Sequence, residues 1–143
     1  MFDAQREKLR EDDDLIFSIC LVDAIYLIAF CDNEPTDEQI NVIKQIFNED
    51  PILQDHKFMA SIIADSLMDK LKHDFNNTAN RIINSIHHLI DDKERASKIL
   101  SYSINVAMAG CELPSSVQSL LEQLTDAFYL KGDAHNSQPL SDV

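Results

Sequence analysis

Between Asp14 and Cys31 apolar residues fill nearly every position, and Asp23 is the only charge among them. A run this dense is apolar on nearly every face and predicts a helix surrounded by other helices. Glu11-Asp-Asp-Asp14 precedes it, and carboxylates suit the positive end of a helix, so its span is placed at about 14–31. Beyond it, apolar positions recur at three- and four-residue intervals, the mark of one-faced helices. Ile40, Ile43, Ile46 and Phe47 define a second helix; Met59, Ile62, Ile63, Leu67 and Leu71 a third. Ala79, Ile82, Ile83, Ile86, Leu89 and Ile90 define a fourth, and Val117, Leu120, Leu121, Leu124 and Phe128 a sixth. A fifth is expected from about Asp91 to Ala109. No segment alternates with period two, so no strand is expected.

The breaks between these faces carry helix signals. Asp32-Asn-Glu-Pro35 ends the first helix, and Thr36 with Gln39 three residues on is a capping-box pattern. Asp50 can cap a helix with Pro51 in its first position, or the third helix restarts near Asp55. A polar run from His73 to Asn77 separates the third and fourth helices. Asp91 with Glu94 suggests another cap, Gly110 a terminator, and Leu113-Pro114 a new start. The reading is all-α: a compact bundle of about six helices over residues 15–130, after a charged lead-in (1–14) and before a flexible polar tail (131–143).

Composition narrows this further. The chain has 143 residues, 45% of them hydrophobic, and 2 glycines, which favours an ordered core over disorder or a turn-rich β fold. Twenty-five acids against 12 bases give a net charge of -13. Such a surface repels nucleic-acid phosphates and anionic lipid and suits cations or basic proteins. Cys20, Cys31 and Cys111 form no CxxC pair and suit reduced, buried thiols, hence a cytoplasmic expectation. The first ten residues lack an apolar signal core. Leu15–Cys31 has the length to prompt the membrane question, but Asp23 at its middle and acids at both ends favour a core helix and no integral membrane segment.

The chain also repeats itself. At one common offset, Leu21-Val22 matches Ile99-Leu100, Ile28-Ala29 matches Val106-Ala107, Glu34 matches Glu112, and Gln45-Ile46 matches Gln123-Leu124. Each copy is a long helix, a turn and a shorter helix, which predicts two repeated helical hairpins around one core. The early turn reads Ala29-Phe-Cys-Asp32-Asn33-Glu34-Pro-Thr36-Asp37-Glu38, and the late one Val106-Ala-Met-Ala109-Gly110-Cys111-Glu112-Leu-Pro-Ser-Ser116. This layout resembles the tellurite-resistance TerB-like family, whose hairpin has the form Ala-x-x-Asp-Gly-x-x-x-x-x-Glu. Asp32 and Glu38 match its acids and Asn33 replaces its glycine; in the late copy Gly110 and Ser116 stand where the acids belong. The resemblance covers roughly residues 15–130. It implies a link to tellurite resistance and stress responses, an acidic and metal-associated surface, protein partners, and no established catalytic activity.

Four carboxylates at the first turn, Asp32, Glu34, Asp37 and Glu38, are the leading candidates for a divalent cation, and the last three for a protein partner. The turn is not an EF-hand loop: counted from Asp32, Asp37 stands where Gly is needed and Ile43 where Glu is needed. Helix capping and solvation explain the same acids without a ligand. Asp23 lies among apolar residues and needs a partner, with a core Ser, Tyr or Arg expected. It is about 900° and roughly 13 Å from Asp32 along a helix, so it cannot join the acidic turn. His87 with Asp91, or His88 with Asp92, has a spacing that could share a metal, yet two ligands are too few. No Walker loop, GxGxxG, HExxH or GxSxG occurs.

The sequence therefore favours a non-catalytic binding module that takes a cation, a protein partner or both, with homo-oligomerisation left open. A metal-dependent enzyme with a carboxylate/histidine site, drawing on His56, His73, His87 or His88, is the alternative. An acidic mimic of nucleic acid ranks last, because the acids cluster at helix starts instead of forming a regular array.

Overall fold

The computed structural model describes residues 2–32, 34–89, 92–110 and 113–133, with side chains over 13–32, 34–86, 92–110 and 113–128. Among them are seven helices and no strand: α1 (Phe2–Ala29), α2 (Asp37–Glu49), α3 (Pro51–Asp55), α4 (Lys57–His73), α5 (Phe75–Leu89), α6 (Lys93–Met108) and α7 (Ser115–Asp133). No helix among them is long and apolar enough to cross a membrane.

The dense apolar run lies at the centre of the bundle. Phe17, Leu21, Val22, Ala24, Ile25 and Leu27 of α1 are fully buried, and every other helix packs on α1. Around it the neighbours succeed one another as α4, α5, α7, α6 and α2, and the short α3 joins α2 to α4 at one end. This burial on all faces is what the sequence asked of that helix.

The start of α1 departs from the expected residue 14. The helix reaches back to Phe2, so the charged lead-in is helical and Glu11–Asp14 lie inside it. Ala4 to Glu11 are good helix formers with no Gly or Pro to stop them. Asp14 has a different partner: Arg95 of α6 places Nη2 2.6 Å from Asp14 Oδ1 and donates Nη1 to the Asp13 backbone carbonyl at 2.9 Å. Electrostatics at this point ties α1 to α6 and does not cap α1.

Asp50 does cap: its Oδ1 accepts the N–H groups of Ile52 and Leu53, both at 3.0 Å, with Pro51 in the first helical position. Both expected starts occur, because α3 stops after one turn at His56 and α4 begins at Lys57. Ahead of α6 the cap is Asp92, one residue later than expected, accepting from Glu94 N at 2.9 Å; Asp91 lies outside the described residues. At the far end α7 runs to Asp133, so residues 131–133 extend the helix. Residues 134–143 of the expected tail lie outside the described residues.

One predicted face is rotated. The stripe of α4 that meets the core is Ala60, Ala64, Leu67 and Leu71, with Ile63 partly buried, whereas Met59 is 46% and Ile62 50% exposed. Alanines give α4 a shallow side on which it can approach α1 closely, and that proximity is worth more than burying two larger side chains elsewhere.

Candidate functional site

The turn after α1 is held by four hydrogen bonds. Thr36 Oγ1 accepts Gln39 N–H and Gln39 Oε1 accepts Thr36 N–H, both at 3.1 Å, completing the predicted capping box. The Gln39 side chain then points inward, and its Nε2 donates to Val106 O of α6 at 3.3 Å. Asp32 Oδ1 accepts the Ser116 hydroxyl at 2.7 Å. The turn after α1 and the turn after α6 thus abut. A Cβ on Gly110 would stand 3.1 Å from Gln39 Nε2, so glycine there leaves room for that amide.

Between the turns lies a cavity of about 230 Å³, lined in part by Asp32, Glu34, Thr36, Gln39 and Gly110. It collects two of the four predicted carboxylates. Asp37 and Glu38 occupy the first turn of α2, beside its positive end, and are exposed. No three His, Cys, Asp or Glu side chains among the described residues come together as a cation site. Cys31 lies beside the same turn; burial and then Asp32 raise its pKa, while the Ser116 hydroxyl lowers it. Cys20 is buried, pushed up to about 12 by burial and then by Asp23, and both thiols are free. Cys111 and Glu112 lie outside the described residues.

Asp23 is half-buried, and burial raises its pKa to about 6 against the opposing pull of Arg81 and Lys70. Of the Ser, Tyr or Arg expected beside it, an arginine is found, Arg81 of α5, together with Lys70 of α4. Ser101, which the sequence offset sets against Asp23, is exposed. His56 and His73 stand at opposite ends of α4, a 17-residue helix, and so roughly 25 Å apart. They cannot share a metal. The side chains of His87 and His88 lie outside the described residues.

Two features escaped the sequence reading. Asp50 is completely buried, and beyond its capping role its Oδ2 receives Lys98 Nζ at 2.8 Å and the Tyr102 hydroxyl at 2.9 Å. Burial would raise its pKa, but bonds from Lys98, the Leu53 N–H and Tyr102 outweigh burial and hold it below the ordinary carboxylate value. Lys98 and Tyr102 stand one turn apart on α6, a spacing visible in the sequence, yet nothing local pairs them with Asp50. The second feature is a trough of about 340 Å³ over α1, between α2 and α4, lined by Tyr26, Phe30, Ile40, Ile43 and Met68 together with the charged Glu34, Lys44 and Lys72.

No family model, no characterised protein and no solved structure matches this chain.

Proposed function

We propose that this chain is a non-catalytic, TerB-like helical module that captures a basic protein surface with Glu34, Asp37 and Glu38. The observation that carries the reading is that all three carboxylates are exposed and none is paired with a cation among the described residues. Unpaired surface charge steers an oppositely charged partner and stays available to it. Asp32, engaged by Ser116, serves the turn instead. The likeness of the two turns to the TerB-like pattern supports a place in tellurite resistance or a wider stress response, in the cytoplasm. In affinity capture from extracts of the source cells, the wild-type chain is expected to retain a basic protein at low salt. A Glu34→Lys, Asp37→Lys, Glu38→Lys variant of unchanged circular dichroism and melting point is expected to lose it. Equal capture by both would sink this face.

A divalent cation is the second reading, favoured by Asp32 and Glu34 lining one cavity. Melting of metal-stripped protein with excess Ca²⁺, Mg²⁺, Mn²⁺ or Zn²⁺ tests it, since a cation bound only to the folded state raises the melting point. A rise abolished by Asp32→Ala supports it, and no rise with any cation removes it. The carboxylate/histidine enzyme has no supporting observation beyond the residue types, with His56 and His73 far apart.

A further inference from the structure

The cavity where the turn after α1 meets the turn after α6 carries charge of one sign. Its walls are largely apolar: Ala29 of α1, Ala107 of α6, Val117 of α7, and Pro114 just before α7. Its charged lining residues are Asp32 and Glu34, with no Lys, Arg or His beside them among the described residues. Glu34 also borders the trough that holds Lys44 and Lys72, but it pairs with neither among the described residues. Both carboxylates are exposed, so the cavity is reached from solvent. Asp32 is fixed in place: the Ser116 hydroxyl takes Oδ1, and Oδ2 has no partner among the described residues. Thr36 and Gln39 line the cavity too, with side-chain oxygens that already hold the capping box.

We propose that this cavity receives one arginine side chain from a basic partner protein, its guanidinium shared between Asp32 and Glu34. The proposal deepens the reading of Glu34 as part of a basic-partner surface and rests on it. Size selects a side chain: about 230 Å³ falls below the roughly 300–1,000 Å³ of small-molecule pockets. Shape selects a long one with a charged tip. Apolar walls beneath exposed carboxylates suit a stem that buries its methylenes while its head stays among polar groups. Chemistry selects arginine. A hard cation such as Mg²⁺ or Ca²⁺ takes about six or more oxygens, whereas the cavity offers two carboxylates, with one oxygen already engaged by Ser116. The lysine ammonium is strongly hydrated and acts as a point charge. The guanidinium is flat, weakly hydrated and carries a fork of donors that two carboxylates can share. Asp37 and Glu38, exposed in the first turn of α2, stand ready for bases that flank the arginine.

Titration of the metal-stripped full chain with acetyl-Gly-Arg-Gly-amide, followed by NMR at the methyl groups of Ala29, Ala107 and Val117, tests the cavity. Saturable shifts at these methyls are expected. Binding should weaken at least about tenfold when lysine or the uncharged isostere citrulline replaces the arginine. Glu34→Gln and Asp32→Asn, each of unchanged melting point, should weaken it as much. Asp37→Asn with Glu38→Asn, outside the cavity, should change it by less than about twofold. Lysine peptide bound as tightly as arginine peptide, or equal losses in both sets of variants, shows diffuse attraction to an acidic surface and overturns the proposal. Free arginine bound more tightly than the blocked peptide gives the cavity to a metabolite, and a divalent cation that displaces the peptide gives it to a metal; both overturn it. No shift at these methyls also overturns it. If the chain still captures a basic protein through Glu34, Asp37 and Glu38, only the arginine anchor has failed; if it does not, both readings have.

Discussion

At Asp50 a carboxylate is taken wholly out of water and stays ionised, because one oxygen caps α3 and the other receives Lys98 and Tyr102. A buried charge is tolerable only while its partners remain. Lys98→Met is expected to cost about 1–2 kcal/mol, the outer part of the lysine being solvated, and to raise the midpoint pH of acid unfolding. The sign follows from the depressed pKa: Asp50 contributes stability above the ordinary carboxylate value and loses it as pH falls through its lowered one. Asp23 has the opposite sign. With its pKa raised from 3.8 to about 6, its contribution is best below 3.8 and is lost as pH rises through about 6. Asp23→Asn should therefore melt higher than wild type at neutral pH, by an amount on the order of 2 kcal/mol, with the difference vanishing below the ordinary Asp pKa. An unchanged melting point at neutral pH would show that Arg81 and Lys70 offset the burial of Asp23 more fully than this.

Among the elements, α2 shows how local and tertiary demands meet in one residue. Gln39 closes the capping box with Thr36 and also reaches Val106 across the bundle. Thr36→Ala should cost about 1 kcal/mol in urea unfolding, the usual value of an N-cap. Gly110→Ala should crowd the Gln39 amide off the Val106 carbonyl, again at about 1 kcal/mol, and the loss should disappear in a Gln39→Ala background. In α4 the residues that look most like core are not all in it. Met59 and Ile62 repeat at helical spacing and are half-exposed, while Ala60 and Ala64 face α1.

For the whole molecule, α1 packs on every other helix, which favours cooperative folding, although α7 rests chiefly on α5 and α6. Ile25→Ala, at a fully buried point of α1, should cost about 2–5 kcal/mol. Circular dichroism and tyrosine fluorescence should then report one shared transition; separate transitions would show that the outer helices hold together on their own. A net charge of -13 opposes compaction, so moderate salt should raise the melting point by screening.

Helix content, the capping box at Thr36, the Asp50 cap and the central place of the Leu15–Phe30 run were all legible in the sequence, because each is set by spacing within a few residues or by the density of apolar side chains. The four carboxylates of the first turn were legible as a cluster, but that Asp32 and Glu34 line a cavity while Asp37 and Glu38 stand apart from it was not. That depends on Ser116 arriving from a distant turn. The same holds for the rotation of α4, for Asp50 with Lys98 and Tyr102, and for the trough between α2 and α4. Periodicity fixes which residues share a face of a helix, whereas which face turns inward, and where a neighbour is missing, is decided only when helices compete for the surface of α1.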